Sequence, residues 1–389
     1  MNTPQERDKG ALAGVRVLDL SRFIAGPYCG MLLADMGADV VKVEKPGVGD
    51  VTRSYQPQLD GTSLYSMVFN RNKRSLALDV RTPEGQQTLR ALVAEADVLL
   101  ENFRPGVMEK MGCGWEALHA LNPRLVMARV SGFGQDGPYA ERPCFDVIAQ
   151  AMGGLMEVTG DPKGPPTISG TYICDYTTAM YTCIGILGAL QARHRTGKGQ
   201  LVDVALLDSA ASLLLTAIPE KILLGRDTTR RGNTDRYGAP NNAYQTADDE
   251  WVHIAGGTLF PRFVTAIGRA ELITDARYCT IQQRLINRDS LDAVAADWVR
   301  QTPTAEVLAR MEQFEVPCAK VATISDVLAN PQLRHRGQIA EVPHPTAGSI
   351  PVQGVTIHLS DTPLTIRSGQ PAVGENTDEV LTEWLGVHA

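Results

Sequence analysis

Strand-like and helix-like segments alternate through the first third of the chain, and this alternation constrains the fold more than any other feature. Val15–Leu20, Val40–Glu44, Ser75–Leu78, Val98–Glu101 and Leu125–Ser131 are short apolar runs rich in β-branched residues. Between them Pro27–Met36, Pro83–Ala96 (after a Thr82 cap) and Val107–Leu121 read as helices. Pro27 and Pro83 fall in first turns, where the missing N–H costs nothing. Strands separated by helical crossovers predict an α/β fold with a Rossmann-like, doubly wound parallel sheet. Such sheets hold ligands at the carboxyl ends of their strands.

The middle of the chain departs from this rhythm. Tyr176–Arg195 and Val202–Leu223 read as two apolar-rich helices, and Gly225–Asn242 as a polar loop. From Ala243 a strand–turn–strand opens a smaller α+β module, with helices near Leu259–Ile267, Ser290–Gln301 and Ala305–Phe314. Short strands within 338–366 and a helix over 375–385 close the chain. The expected organisation is a large domain over 10–200, a linker helix and loop over 201–242, a small domain over 243–325, and a C-terminal segment over 326–389 that returns to the large domain.

Charge and cysteine usage narrow the function. Lys and Arg number 37 against 44 Asp and Glu, a net charge of −7, which disfavours non-specific nucleic-acid binding. The polar first ten residues lack the apolar stretch of a secretory signal, and no apolar run approaches the roughly 18 residues of a membrane span. Seven cysteines without a C-x-x-C pair read as reduced thiols of a cytoplasmic protein and make a zinc site unexpected.

Three features carry chemistry. The opening β-α-β with Glu44 ending its second strand suggests a dinucleotide site, but G-x-G-x-x-G is absent and Pro27 and Tyr28 would crowd the pyrophosphate. Lys42, Lys45, Arg71, Lys73, Arg74, Arg104 and Lys110 gather after the strands, either as a polyanion site or as a solvated basic face. Asp175 stands where an extended stretch becomes the long central helix. There the helix dipole is expected to keep it ionised at pH 7, as an ordinary N-cap or as a nucleophile toward an acyl group.

Long motifs in order then resemble the class III CoA-transferases, the CaiB/BaiF and formyl-CoA transferase group. They are LAGVRVLDLSRFIAGPYCGMLLADMGADVVKVEKPGVGD (12–50), FNRNKRSLALDVRTPEG (69–85), ADVLLENFRPGVMEKMG (96–112), NPRLVMARVSGFGQDGPY (122–139) and GPPTISGTYICDYTTAMYTCIGILGALQARHRTGKGQ (164–200), with 316–333 and 374–386. The resemblance implies an interlocked homodimer of ring-shaped chains. It places the catalytic aspartate on Asp175. It puts CoA against Phe23, Ile24, Lys45, Asn72, Lys73, Arg74, Leu78, Arg81, Asn102, Phe103, Arg104 and Lys110. It implies CoA transfer from an acyl-CoA, such as succinyl-CoA, to a free carboxylic acid through an acyl-aspartyl anhydride and an aspartyl-CoA thioester. CoA is then substrate, and no tightly bound cofactor or metal is expected.

Two departures from the family pattern stand out. The four-glycine loop of some transferases is reduced to Gly256-Gly257. The sister α-methylacyl-CoA racemases use a His before the residue matching Asp146, where this chain has Phe145, and a Glu in the small domain, where Trp251–Phe263 holds no carboxylate. Arg226, Arg230, Arg231 and Arg236 stand either as partners for a second carboxylate, in a dicarboxylic substrate, or as solvent-facing loop residues.

Overall fold

The structure, a computed structural model, describes residues 10–344 and 348–387. The chain divides into two compact units, one from Met1–Leu155, Ser169–Ile218 and Pro331–Ala389, the other from Met156–Ile168 and Pro219–Asn330.

The first unit is built on six strands: β1 (Arg16–Asp19), β2 (Asp39–Glu44), β3 (Arg74–Ala77), β4 (Val98–Glu101), β5 (Val126–Ser131) and β6 (Leu201–Ala205). Their order is β3-β2-β1-β4-β5-β6, and every neighbouring pair is parallel. This 3-2-1-4-5-6 order is that of the doubly wound nucleotide-binding sheets, with the order reversing between β1 and β4. Alternate side chains feed two apolar layers. Val17, Val98 and Val126 pack with Leu33 of α1 (Ala25–Asp35) and Ile186 of α4 (Ile173–Thr196). Leu18, Leu76 and Leu99 pack on the other face with Leu89 of α2 (Pro83–Glu95) and Trp384 of α9 (Thr377–Leu385). With both faces covered, the strands are near-continuous apolar runs, as a buried parallel sheet requires.

Three expectations are corrected. Val202–Leu223 is not one helix: β6 comes first, then α5 (Leu206–Ser212) and a further helix over Ala217–Leu224. The run LVDVA alternates in exposure along the sheet edge, a period-2 pattern too short to separate from a helix by apolarity alone. Val107–Leu121 breaks into Val107–Lys110 and Trp115–Leu121, because Gly112 takes a positive φ of 64°. Among the described residues α4 is long and apolar enough to cross a membrane, although no such run was expected; half of that stretch is buried within the structure, as core helices are.

The second unit holds an antiparallel sheet of β7 (Asn241–Gln245), β8 (Trp251–Ala255) and β9 (Cys318–Lys320), with β8 central. Helices α6 (Phe260–Ala266), α7 (Arg288–Arg300) and α8 (Thr304–Gln313) cover it through Phe263, Leu291, Val299 and Met311. Gly256 and Gly257 belong to this packing. A Cβ on Gly256 would lie 2.9 Å from the Phe263 ring, and one on Gly257 2.8 Å from the Ala239 backbone nitrogen.

Candidate active site

The site grows from the point where the strand order reverses. β1 runs into Leu20-Ser21-Arg22-Phe23 and β4 into Asn102-Phe103-Arg104, so two loops rise side by side at the carboxyl edge. The Asn102 side chain ties them together. Its Oδ1 accepts from the Arg22 N–H at 2.8 Å and its Nδ2 donates to the Arg22 carbonyl at 2.6 Å. Phe23 adopts a φ of 69°, a left-handed conformation that side chains rarely take and that turns the chain sharply into α1.

Two hollows open here. One, of about 470 Å³, contains Asp175. The other, of about 430 Å³, lies over the ends of β1, β2 and β3. Arg22 and Phe103 line both, with the Arg22 guanidinium 5.0 Å above the Phe103 ring.

Asp175 is the third residue of α4, not its cap; Tyr172 occupies the cap position and makes no side-chain capping bond. The capping carboxylate comes from elsewhere in the chain. Asp146, first residue of α3 (Asp146–Met152), accepts through Oδ1 from the N–H groups of Cys174 at 2.8 Å and Asp175 at 3.2 Å. Gln150 Nε2 donates to its other oxygen at 2.5 Å, and Gln150 Oε1 accepts from the Ser169 N–H at 2.9 Å. A buried carboxylate therefore meets the helix terminus before any substrate does.

This overturns the expectation that the helix dipole keeps Asp175 ionised. Burial, and then the charge of Asp146, push its carboxyl up to about 7. The neighbouring thiols are held protonated: burial and the Asp175 charge raise Cys144 to about 11, and burial with both aspartates raises Cys174 to about 12. Tyr55, Tyr65 and Tyr172 complete an aromatic wall, with ring centroids 5.5 Å (Tyr55–Tyr65) and 6.4 Å (Tyr65–Tyr172) apart.

The residues expected to face CoA separate into three groups. Phe23, Ile24, Asn102, Phe103 and Arg104 line the Asp175 hollow, and Lys45, Leu78, Arg81 and Phe103 line its neighbour. Lys110 is exposed and lines neither. Asn72, Lys73 and Arg74 are corrected: their side chains are committed to the fold. Asn72 donates to Asp35 and to the Thr365 carbonyl, both at 2.7 Å. Lys73 pairs with Asp19 at 2.8 Å with both side chains fully buried. Arg74 binds Asp39, Glu379 and Glu383, pinning α9 to the sheet. Burial pushes the Asp19 carboxyl up, but Lys73 and Lys42 outweigh it and hold it below its usual range. Glu44, the acid a dinucleotide site would turn toward a ribose, instead binds Arg53 at 2.6 Å and the Ser75 hydroxyl at 2.8 Å.

The second unit's arginines are likewise partly spent, since Arg230 pairs with Glu157 and Arg236 with Glu220, each at 2.8 Å. The sequence reading missed Arg22, Arg142 and Tyr65. Arg22 carried a signal, a cation directly after a strand; Tyr65 carried none. Arg22, Arg104 and Arg142 line the Asp175 hollow and have no carboxylate partner among the described residues. Arg142 is steadied 4.0 Å above the Tyr139 ring. Phe145, at the racemase His position, lines the same hollow and is 62% exposed.

Comparison with known proteins identifies the family. The profile of CoA-transferase family III matches residues 12–377. A succinyl-CoA–D-citramalate CoA-transferase of Chloroflexus aurantiacus is 42% identical over 98% of this chain and 96% of its own length. The beta subunit of a succinyl-CoA–L-malate CoA-transferase of the same organism is 40% identical over 97% and 94%. The crystal structure of a CaiB/BaiF family protein from Brucella suis superposes with a TM-score of 0.86 at 36% identity, over 97% of this chain and 100% of that one.

Proposed function

This chain belongs to CoA-transferase family III, and on that premise we propose that it moves CoA from succinyl-CoA, or a similar short dicarboxylic acyl-CoA, to a dicarboxylic acid, with Asp175 as the covalent nucleophile. The observation that carries this reading is Asp175 itself: a carboxylate poised at about 7 in a hollow with three arginines that lack carboxylate partners among the described residues. Those arginines favour an anionic ligand, and the relatives described above are named for succinyl-CoA and hydroxylated diacids.

The CoA nucleotide is assigned to the hollow lined by Lys45, Leu78 and Arg81, and the pantetheine arm runs past Arg22 and Phe103 to Asp175. The Asp175 carboxylate adds to the thioester carbonyl, the C–S bond breaks, and an acyl-aspartyl anhydride and CoA thiolate result. The thiolate then attacks the Asp175 carbonyl and releases the donor acid, leaving an aspartyl-CoA thioester. The acceptor carboxylate reverses both steps. Each bond made replaces one of similar energy, so what the protein supplies is positioning, exclusion of water and stabilisation of the oxyanions. The aromatic wall of Tyr55, Tyr65 and Tyr172 suits the second of these tasks.

The reading includes the interlocked homodimer. Met180, Tyr181 and Ile184 of α4 are 44%, 41% and 64% exposed, a contiguous apolar stretch of a kind that marks protein contacts. A racemase reading is not favoured, because Phe145 cannot exchange protons.

The test is a panel of acyl-CoA donors with mono- and dicarboxylic acceptors, read by mass spectrometry, with hydroxylamine trapping of the enzyme. Expected are transfer from succinyl-CoA to a diacid and a hydroxamate on Asp175 only after donor is added. Normal turnover by Asp175→Ala, or α-proton exchange without CoA migration, overturns the reading.

A further inference from the structure

Both half-reactions pass through tetrahedral oxyanions, and a hydrogen-bond donor must meet each one. The obvious source, the N-terminus of α4, is already spent. The Ile173 N–H donates to the Thr171 carbonyl at 2.9 Å and the Tyr176 N–H to the Tyr172 carbonyl at 3.0 Å. The N–H groups of Cys174 and Asp175 both donate to Asp146. Of the other side chains in the hollow, the Asn102 amide is engaged at both ends and the Cys144 thiol turns to the Phe145 carbonyl at 3.5 Å, while Arg22, Arg104 and Arg142 are the cations assigned above to the anionic ends of the ligands.

Tyr65 is differently placed. It is the second residue of the helix Leu64–Asn70, whose start is fixed by the Ser63 hydroxyl accepting from the Ser66 N–H at 3.3 Å. Its ring is held edge-on by Tyr55 at 5.5 Å, Phe69 at 5.6 Å and Tyr172 at 6.4 Å. Its hydroxyl makes no hydrogen bond among the described residues, although the side chain lines the hollow. A clamped ring with an uncommitted hydroxyl is a preorganised donor. Burial, followed by the nearby Tyr172 and Asp175 charges, raises this phenol above its usual range, so it stays protonated while Asp175 reacts.

We propose that Tyr65 donates the hydrogen bond that holds the oxyanion formed when Asp175 adds to the thioester carbonyl. This rests on the transferase reading above. As the Asp175–carbon bond forms, the carbonyl π pair moves onto oxygen and is met by the Tyr65 hydroxyl, which keeps its proton. The pair returns as the C–S bond breaks and thiolate leaves.

The experiment compares wild type with Tyr65→Phe, which keeps the ring and its edge contacts and removes only the hydroxyl. Matched thermal melting curves establish that the variant is folded. With succinyl-CoA and a diacid acceptor, kcat is expected to fall about 10²- to 10³-fold, with both KM values within about threefold. The rate of forming the hydroxylamine-trapped Asp175 adduct is expected to fall in parallel. A kcat within threefold of wild type, or a loss confined to KM, overturns the proposal. A wild type that forms no adduct overturns the transferase reading along with it. An adduct-forming wild type matched in rate by Tyr65→Phe overturns this inference alone.

Discussion

Asp146 accepts a hydrogen bond from the backbone N–H of Asp175 at 3.2 Å while its charge opposes ionisation of the same residue's side chain. One carboxylate thus anchors the Asp175 main chain and holds back the titration of its side chain. Asn at position 146 keeps an accepting oxygen for the two N–H groups and loses the charge. The acid limb of the kcat/KM profile, which reports ionisation of Asp175 near pH 7, is expected to move to lower pH in Asp146→Asn. An unchanged acid limb removes Asp146 as a determinant of that titration.

Burying the Asp175 carboxyl also costs stability, with a defined pH dependence. The Asp175 carboxyl is raised from an ordinary 3.8 to about 7 in the folded chain. Below about pH 3 it is largely protonated folded or unfolded and costs little. Between pH 4 and 7 the unfolded chain ionises first, and above pH 7 the folded state carries the whole penalty. Asp175→Asn is therefore expected to come closest to wild type near pH 3 and to exceed it by up to about 4 kcal/mol at pH 8, taking about 1.4 kcal/mol per pKa unit. Chemical denaturation at the two pH values measures this; a gap that is constant with pH counts against it.

Lys73 separates a structural cation from a ligand-binding one. Lys73→Met leaves the Asp19 carboxylate buried against only its remaining partners, Ser21 and Lys42, and is expected to destabilise the protein by about 3–5 kcal/mol. The KM for the CoA thioester, measured at a temperature where the variant is folded, should stay within threefold. A tenfold rise in KM with unchanged stability would restore Lys73 to the CoA site.

Much of the large unit is legible in the sequence because its strands are buried on both faces and read as apolar runs. That pattern puts Arg22 directly after a strand without marking it as a site residue, and Asn102 is legible as one only through the family resemblance. Asp175 is legible as a nucleophile only through the family resemblance, since an aspartate at a helix start looks the same whether it caps or reacts. Its raised titration comes from burial and then from Asp146, which lies 29 positions away, and no local signal links the two. The fate of Lys73 is hidden for a similar reason. Its ammonium passes beneath α1 because Gly30 has no Cβ there; one would sit 2.7 Å from Asp19 Oδ2 and 3.2 Å from Lys73 Nζ. β6 escapes notice because five residues along an exposed sheet edge carry too little periodicity.

The wall that Arg22 and Phe103 give to both hollows bears on the order of events. A molecule long enough to fill both is moored at one end while its other end reacts. On the proposed mechanism, thiolate expelled beside Asp175 stays on a short tether, at an effective concentration in the millimolar range. It would then recapture the anhydride as an intramolecular partner, and the small acids would come and go while the carrier stays in its berth.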